Sequence, residues 1–143
     1  NFKNILESVT EVFLLMVGSG PEYEYVAEKM KACNYQERVL VHSAISKNQM
    51  NGLMSEVDIV LIPRQKNLCT NTAIPLKVVE AMNEEKCILS ADDNGLTELL
   101  NTDNARVFEA ENIESLITNL KQLVGDSDLR SVLVLISNSK KPA

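Results

Sequence analysis

The sequence has few aromatic residues, no tryptophan and no long apolar run. Three tyrosines and three phenylalanines make up 4% of the 143 residues, so a buried core has to be built from aliphatic side chains. No apolar run approaches the roughly 20 residues that a membrane-spanning helix needs, and no signal peptide is recognisable. These absences predict a cytoplasmic globular protein of one domain's length.

Cysteine and histidine are also scarce. Cys33, Cys69 and Cys87 form no Cys-x2-Cys pair, and the single histidine, His42, cannot complete a zinc site alone. We therefore expect three reduced thiols, no metal and no cofactor. The net charge of −6 argues against a nucleic acid or an anionic membrane as the main partner, although one crevice can still be basic.

Short apolar runs alternate with segments of helical period along the chain. The runs predict strands at residues 12–17, 39–41, 59–62, 87–89 and 106–108, with helices at 21–31, 47–56, from 75, around 97–100 and 112–124. This order predicts an α/β protein, a Rossmann-like three-layer α/β/α domain with a parallel sheet of about five or six strands. Residues 132–136 are apolar on every side, which leaves helix and strand both open.

Ligands in such folds bind at the carboxyl ends of the strands, where four segments lie. These segments are Gly18–Gly20, His42–Ser46, Pro63–Ile74 and Ala91–Gly95. The glycine segment is neither Gly-x-Gly-x-x-Gly nor a P-loop, so dinucleotide and P-loop functions are excluded at the motif level. It either brings backbone close to a phosphate or sugar, or forms a tight turn.

The segment Thr72–Glu80 predicts a helix N-terminus that would suit a phosphate. Lys77 in the first turn opposes the helix dipole, and an anion over that terminus would explain it. Glu80 stands among apolar residues and is either a partly buried carboxylate that accepts hydrogen bonds from ribose hydroxyls, or a solvated surface residue.

Other polar residues at strand ends are open to two interpretations. His42 either touches a ligand or is an ordinary exposed histidine. Arg64 either pairs with a phosphate or is solvated. The acidic group Asp92, Asp93 and Glu98 suggests either a metal site or, as we favour, an ordinary loop and helix N-terminus.

Several stretches, in this order, resemble the carboxyl-terminal domain of group 1 (family 4) glycosyltransferases. The likeness covers nearly the whole chain. The matching stretches are Leu14–Glu22 (LLMVGSGPE), Asp58–Arg64 (DIVLIPR), Ile74–Met82 (IPLKVVEAM), Gly95–Glu98, Asn104–Phe108 and Asp126–Arg130.

The resemblance implies one half of a GT-B fold, with a nucleoside diphosphate sugar bound by this domain and an acceptor sugar, lipid or protein bound by the other. It implies sugar transfer with retention and without an essential metal. Glu80 would accept from the ribose, and the amides of Leu76 and Lys77 would meet the diphosphate. We expect Gly18, Gly20, His42, Arg64 and Pro75 beside them in the donor site, and assign catalytic roles to Glu80 and Thr72.

The sequence departs from the family pattern at two places. Thr72 replaces the first glutamate of the motif Glu-x7-Glu, which usually meets the donor sugar. Asn83–Cys87 (NEEKC) replaces Ala-Cys-Gly-Lys-Pro; Lys86 keeps its place, but the loss of the glycine and the proline is expected to alter the end of the helix. Two alternatives follow: a GT-B-like binding or interaction module without transferase activity and, with weaker motif matches, a sugar-nucleotide epimerase.

The chain does not begin with methionine, so we expect residues 1–143 to be a nucleotide-sugar-binding domain cut from a longer protein. In family members the acceptor domain, and the Arg and Lys that hold the phosphates, lie upstream. Any contact with the membrane periphery would belong to that domain. The isolated chain is expected to be inactive.

Overall fold

The computed structural model describes residues 2–32, 34–64, 76–96 and 99–139, without the side chains of Asn94 and residues 134–139. The chain divides into two compact units, Asn1–Leu53 and Met54–Ala143. Within the described ranges, every helix is too short or too polar to cross a membrane.

The first unit contains two parallel strands and the helices around them. Its elements are α1 (Phe2–Ser8), β1 (Leu14–Val17), α2 (Tyr23–Lys31) and β2 (Val39–His42), while α3 (Lys47–Ser55) runs across the boundary of the units. β1 and β2 pair in register from Leu14 opposite Val39 to Val17 opposite His42. The strands therefore end side by side, and the two loops that follow leave from one edge.

Arg38 closes the carboxyl end of α1, a helix that the sequence analysis did not predict. Its guanidinium donates to the carbonyl of Leu6 at 2.6 Å and to those of Val9 and Thr10, both at 3.1 Å. The last carbonyls of a helix have no partner within the helix. A planar donor with several N–H groups satisfies one of them here, that of Leu6, together with two carbonyls just after the helix. A residue distant in sequence thus stabilises this short helix.

The second unit is built on a three-stranded parallel sheet. Its elements are β3 (Ile59–Ile62), α4 (Leu76–Asn83), β4 (Cys87–Ala91), β5 (Arg106–Phe108), α5 (Ile113–Gly125) and α6 (Ser127–Ser139). The strand order is β3-β4-β5, so β4 is central and all three carboxyl ends meet at one edge. All five residues of β4 are buried. Four of the five are apolar and the fifth is Ser90, which fits a parallel strand covered on both faces.

Helix α4 covers β4 with one face. Val78, Ala81 and Met82 are fully buried and form a cluster with Ile62 and Ile88. The opposite face of α4, which includes Leu76, Lys77 and Glu80, is exposed. The spacing of three and four residues between the buried positions is what an amphipathic helix requires.

Side-chain caps define the last two helices. The Asn112 side chain accepts a hydrogen bond from the Ser115 amide at 3.0 Å and caps α5, as predicted. Asp126 accepts from the Leu129 amide at 2.8 Å at the start of α6. Arg130 donates back to the carbonyls of Leu123 and, at 3.2 Å, Val124 at the end of α5. The stretch Asp126–Arg130 therefore fixes the turn between α5 and α6 through these hydrogen bonds.

The end of α4 keeps a glycine-type geometry without a glycine. The Glu85 amide donates to the Met82 carbonyl at 3.2 Å and the Lys86 amide to the Ala81 carbonyl at 2.9 Å, which is a Schellman motif. Glu85 has a φ of 56°, in the left-handed region. The expectation that loss of the family glycine alters this helix end is therefore wrong, because Glu85 adopts the required conformation at an energetic cost.

Lys86 follows this motif and caps another helix. Its ammonium donates to the carbonyl of Ser55, the last residue of α3, at 3.0 Å. A cation at the carboxyl end of a helix is favourable both as a donor and against the helix dipole.

The predicted α/β class, Rossmann-like architecture and parallel pairing are confirmed, with fewer strands in each sheet than the predicted five or six. The described strands form two sheets, of two and three strands, because the backbone ladders join β1 to β2 and β3 to β4 and β5. The ranges of β3 and β5 agree with prediction, and residues 132–136 are helical within α6. The helix expected near 97–100 falls partly on residues 97 and 98, which lie outside the described part; residues 99 and 100 are not helical, and a 3-10 turn lies just before them at Asn94–Leu96.

We predict that Glu85→Gly stabilises the protein by about 0.5–1 kcal/mol, because glycine adopts positive φ without a steric penalty. For this chain length, the melting temperature should rise by roughly 1–4 °C in calorimetry. Glu84→Gly is the matched control, since it removes the same charge from a neighbouring residue without positive φ and should lower the melting temperature. A lower melting temperature for Glu85→Gly would contradict the cost assigned to Glu85.

We predict that the buried thiol of Cys87 is unreactive in the folded protein. Burial raises the pKa of Cys87 from 9.0 to about 11, while the positive charges of Arg130 and Arg106 lower it in part. Alkylation at Cys87 should be about 100-fold slower in native protein than in urea, by peptide mapping at pH 8, because the thiolate is the nucleophile.

The same shift predicts a loss of stability in alkali. The pKa of Cys87 is higher in the folded protein than in the unfolded chain. The free energy of unfolding that this shift contributes is therefore fully present below about pH 9 and is lost as the pH rises towards 11. A Cys87→Ala variant should lack this part of the alkaline decline. Equal alkylation rates in native and unfolded protein would show that the thiol is accessible.

Candidate functional site

The carboxyl edge of the first unit carries the glycine turn and the histidine. The Gly18 amide donates to the His42 carbonyl at 3.1 Å, which joins the ends of β1 and β2. Gly20 has a φ of 138°, a conformation that side-chain-bearing residues rarely adopt, so a glycine is required there. Residues 18–20 are exposed, and a Cβ at Gly18 would meet no atom within 4 Å. The turn therefore presents accessible backbone.

His42 is exposed at the end of β2. Its Nδ1 lies 2.9 Å from the carbonyl oxygen of the next residue, Ser43. The ring is thus a surface group beside the glycine turn, available to a ligand and not buried in a core. This contact favours a proton on Nδ1, which leaves Nε2 as the acceptor.

The carboxyl edge of the second unit carries most of the expected donor site. Lys77 and Glu80 are exposed on α4, and the Leu76 side chain is 77% exposed. Glu80 is therefore a solvated carboxylate in this structure, and the partly buried alternative is wrong, because the apolar residues around it turn to the opposite face. Thr72 and Pro75 lie outside the described residues.

The start of α4 combines three features that suit a phosphate. Amides of the first turn have no helical acceptor, the dipole is positive at this end, and Lys77 adds a cation without any acidic residue in that turn. Glu80 follows one turn later on the exposed side. An anion and a hydroxyl-bearing group could thus be held side by side along this helix.

Arg64 and Asp93 form an ion pair at the same edge. Arg64 follows β3 by two residues and Asp93 follows β4 by two, and their Nη1 and Oδ2 atoms are 3.1 Å apart. The Asp93 side chain is 0% exposed and that of Arg64 is 18% exposed. Arg64 is therefore neither fully solvated nor an isolated cation. It lies at the surface against a buried carboxylate.

The acidic residues after β4 organise backbone. Asp93 Oδ1 accepts from the Gly95 amide at 3.0 Å, and Asp92 Oδ1 accepts from the Ala110 amide at 2.6 Å. Asp93 thus opens the 3-10 turn at Asn94–Leu96, which agrees with the loop and helix-start interpretation. In the described part of the chain, no group of three or more His, Cys, Asp or Glu side chains could hold a metal ion.

Sequence reasoning missed the burial of Asp93. The string Asp-Asp-Asn-Gly has the composition of an exposed turn, and its pattern gives no sign that one carboxylate is enclosed. The only available signal was an arginine directly after the neighbouring strand, at the point where parallel strands end together.

A small pocket lies beside these residues but does not suit a large ligand. It has a volume of about 200 Å³ and is lined by Asp92, Asp93, Asn101 and Thr102 with four apolar residues. Typical ligand pockets are ~300–1,000 Å³, so we assign this one no nucleotide.

Asn104, in one of the family-like stretches, is a structural residue. It is fully buried, its Oδ1 accepts from the Asn101 amide at 2.8 Å and its Nδ2 donates to the Leu99 carbonyl at 2.7 Å. An asparagine that satisfies both a donor and an acceptor inside a loop fixes the entry into β5.

Comparison with known proteins extends these observations. The family model for glycosyl transferases group 1 matches residues 1–141, which is nearly the entire chain. No curated protein matches the sequence.

Solved structures of similar fold cover nearly the whole chain at low identity. Sucrose-phosphate synthase from Thermosynechococcus elongatus matches 97% of this chain with a TM-score of 0.81 and 15% identity. A mutant of S. aureus TarM, in complex with fondaparinux, alpha-GlcNAc-glycerol and UDP, matches 96% with a TM-score of 0.80 and 15% identity. The C-terminal domain of the group 1 family protein LpcC from Francisella tularensis matches 96% with a TM-score of 0.75 and 15% identity.

This chain covers different fractions of those solved structures. This chain covers 36% of the synthase and 27% of TarM, but 71% of the LpcC C-terminal domain. At this level of identity the likeness shows the fold, which is that of one domain of a GT-B glycosyltransferase.

Proposed function

Because this chain belongs to the glycosyl transferases group 1 family, we propose that it is the nucleotide-sugar donor-binding domain of a retaining glycosyltransferase. The full protein would transfer a sugar from a nucleoside diphosphate to an acceptor held by another domain. The observation that carries the proposal is the family match over residues 1–141 together with the exposed face of α4, which presents Lys77 and Glu80.

The proposed donor site follows from the chemistry of α4. The diphosphate would lie over the first turn, where free amides and Lys77 attract an anion. Glu80 would accept hydrogen bonds from the ribose hydroxyls, for which an exposed carboxylate is suited. Leu76, the most exposed large apolar residue in the described part of the second unit, would gain a contact when the donor covers it.

Other residues would join from the strand ends. Gly18, Gly20 and His42 present backbone and an imidazole at the edge of the first unit. Arg64, Thr72 and Pro75 belong to the segment between β3 and α4. Thr72 would hydrogen-bond the donor sugar through its hydroxyl, without the charge of a glutamate.

Transfer itself would need no metal in this proposal. The developing negative charge on the leaving diphosphate would be stabilised by the α4 terminus and by Lys77, which are fixed positive groups. Retention of configuration, the identity of the acceptor and a cytoplasmic location are further parts of the proposal and rest on family resemblance.

A second candidate, a nucleotide-binding module without transferase activity, is favoured by Thr72. A hydroxyl cannot replace the charge of the usual glutamate. The Asn83–Cys87 departure no longer supports this candidate, because the helix end keeps its geometry through Glu85.

We predict saturable binding of one nucleoside diphosphate and its sugar conjugate in calorimetric titrations with UDP, GDP, ADP and their sugars. UDP is the first to test, since the TarM structure contains it. Absence of binding by both this chain and the protein that carries it would contradict the proposal. Binding without turnover of any donor, in the presence of candidate acceptors, would support the module without transferase activity.

We predict that Glu80→Gln weakens nucleotide binding by about 10–150-fold, which corresponds to about 1.5–3 kcal/mol for a charge-assisted hydrogen bond. Calorimetry gives the Kd, and the melting temperature should not change because Glu80 is exposed.

Glu84→Gln is the control for this test. It removes the same charge from the residue directly after α4, one turn beyond Glu80, where no ligand contact is proposed. Equal Kd values for Glu80→Gln and the unmodified protein would remove Glu80 from the site.

A further inference from the structure

Among the described residues, Asp93 is the one acidic or basic residue that is buried. Its side chain is 0% exposed, and an isolated carboxylate in such a place would be strongly unfavourable. Oδ1 is satisfied by the Gly95 amide. Oδ2 accepts no directed hydrogen bond, although Arg64 Nη1 lies 3.1 Å away. The guanidinium of Arg64 therefore compensates the charge at Oδ2 through an ion pair.

The position of this pair in the sheet suggests more than local charge balance. In the β3–β4 register Ile62 lies opposite Ser90, and both partners of the pair follow within three residues. They stand at the carboxyl edge, where donors bind in open α/β sheets. The Arg64 side chain is 18% exposed, so part of it reaches the surface beside its buried partner.

We infer that Asp93 is a positioning residue for the donor diphosphate and that it acts through Arg64. An unpaired arginine at a strand end samples many rotamers and loses that freedom when it binds an anion. An arginine already held by a buried carboxylate loses less, which favours binding. This inference rests on the proposed function, because it needs a diphosphate at this edge.

A competing effect has the opposite sign. Asp93 neutralises part of the charge of Arg64, so its removal could also strengthen attraction for a phosphate. We expect the positioning effect of Asp93 to outweigh this neutralisation, because a phosphate at this edge would approach the guanidinium of Arg64 more closely than the enclosed carboxylate of Asp93. The sign of the measured effect separates the two.

The test compares nucleoside diphosphate with nucleoside. The probes are UDP, GDP or ADP, whichever the unmodified protein binds, and the matching nucleoside. We expect Arg64→Gln and Asp93→Asn each to raise the Kd for the diphosphate about tenfold, and the Kd for the nucleoside less than about twofold. The double variant should bind the diphosphate no more weakly than the weaker single variant, since both residues act in one unit.

Lys86→Gln is the matched control. It removes one positive charge, like Arg64→Gln, and breaks the contact with the Ser55 carbonyl, but it lies at the amino end of β4. It should lower the melting temperature and leave the ratio of the two Kd values unchanged. A loss of stability alone therefore cannot imitate the expected result.

If the unmodified protein binds a nucleotide, the proposed function stands, and three results would then overturn the inference about Asp93. One is an unchanged diphosphate Kd in folded Asp93→Asn. Another is an equal loss of affinity for the diphosphate and for the nucleoside, which would show that Asp93 has only a structural role. The third is tighter diphosphate binding, which means that Asp93 competes with the ligand. If Asp93→Asn does not fold, an unchanged Kd in Arg64→Gln has the same force. Failure of the unmodified protein to bind any probe would remove both proposals.

Discussion

The complete burial of β4 is the constraint on which the larger unit depends. Each of its five residues is enclosed, with β3 and β5 along its edges and α4, α5 and α6 in contact with it. A parallel strand in this position needs apolar side chains on both faces and a full set of ladder hydrogen bonds. Its rigidity also sets the direction in which Asp92 and Asp93 leave the sheet. The geometry of the candidate site is therefore a consequence of the core.

The positions of several cations differ in what they can contact. Arg38, Lys86 and Arg130 donate to the carbonyls at the ends of α1, α3 and α5. These carbonyls need donors wherever a helix ends, and a long cationic side chain reaches them from another element. Lys77 and Arg64 are placed differently, one in the first turn of a helix and one at a carboxyl edge. These two are suited to an anionic ligand.

The departures from the family pattern have unequal consequences. Glu85 adopts the backbone conformation that the family glycine would adopt, so the end of α4 keeps its geometry. The positive φ of Glu85 costs about 1–2 kcal/mol. Thr72 cannot preserve what a glutamate provides, because a hydroxyl carries no charge and reaches less far. A change that alters only conformational energy leaves the site intact, whereas a change in charge alters its chemistry. Thr72 is thus the residue on which the choice between transferase and binding module depends.

The sequence by itself determined the elements whose signals are local. Apolar runs located β3 and β5, and Asn112 marked the start of α5 because an N-cap bonds within its own turn. The order of family-like stretches indicated the family, which the match over residues 1–141 confirms. Only the tertiary structure decided the burial of Asp93, the exposure of Glu80, the existence of α1 and the division of the strands into two sheets. Each depends on partners distant in sequence: Arg64 for Asp93, the packed face of α4 for Glu80, Arg38 for α1 and ladder hydrogen bonds for the sheets. Local pattern cannot reveal such contacts, because burial and pairing are properties of the folded chain.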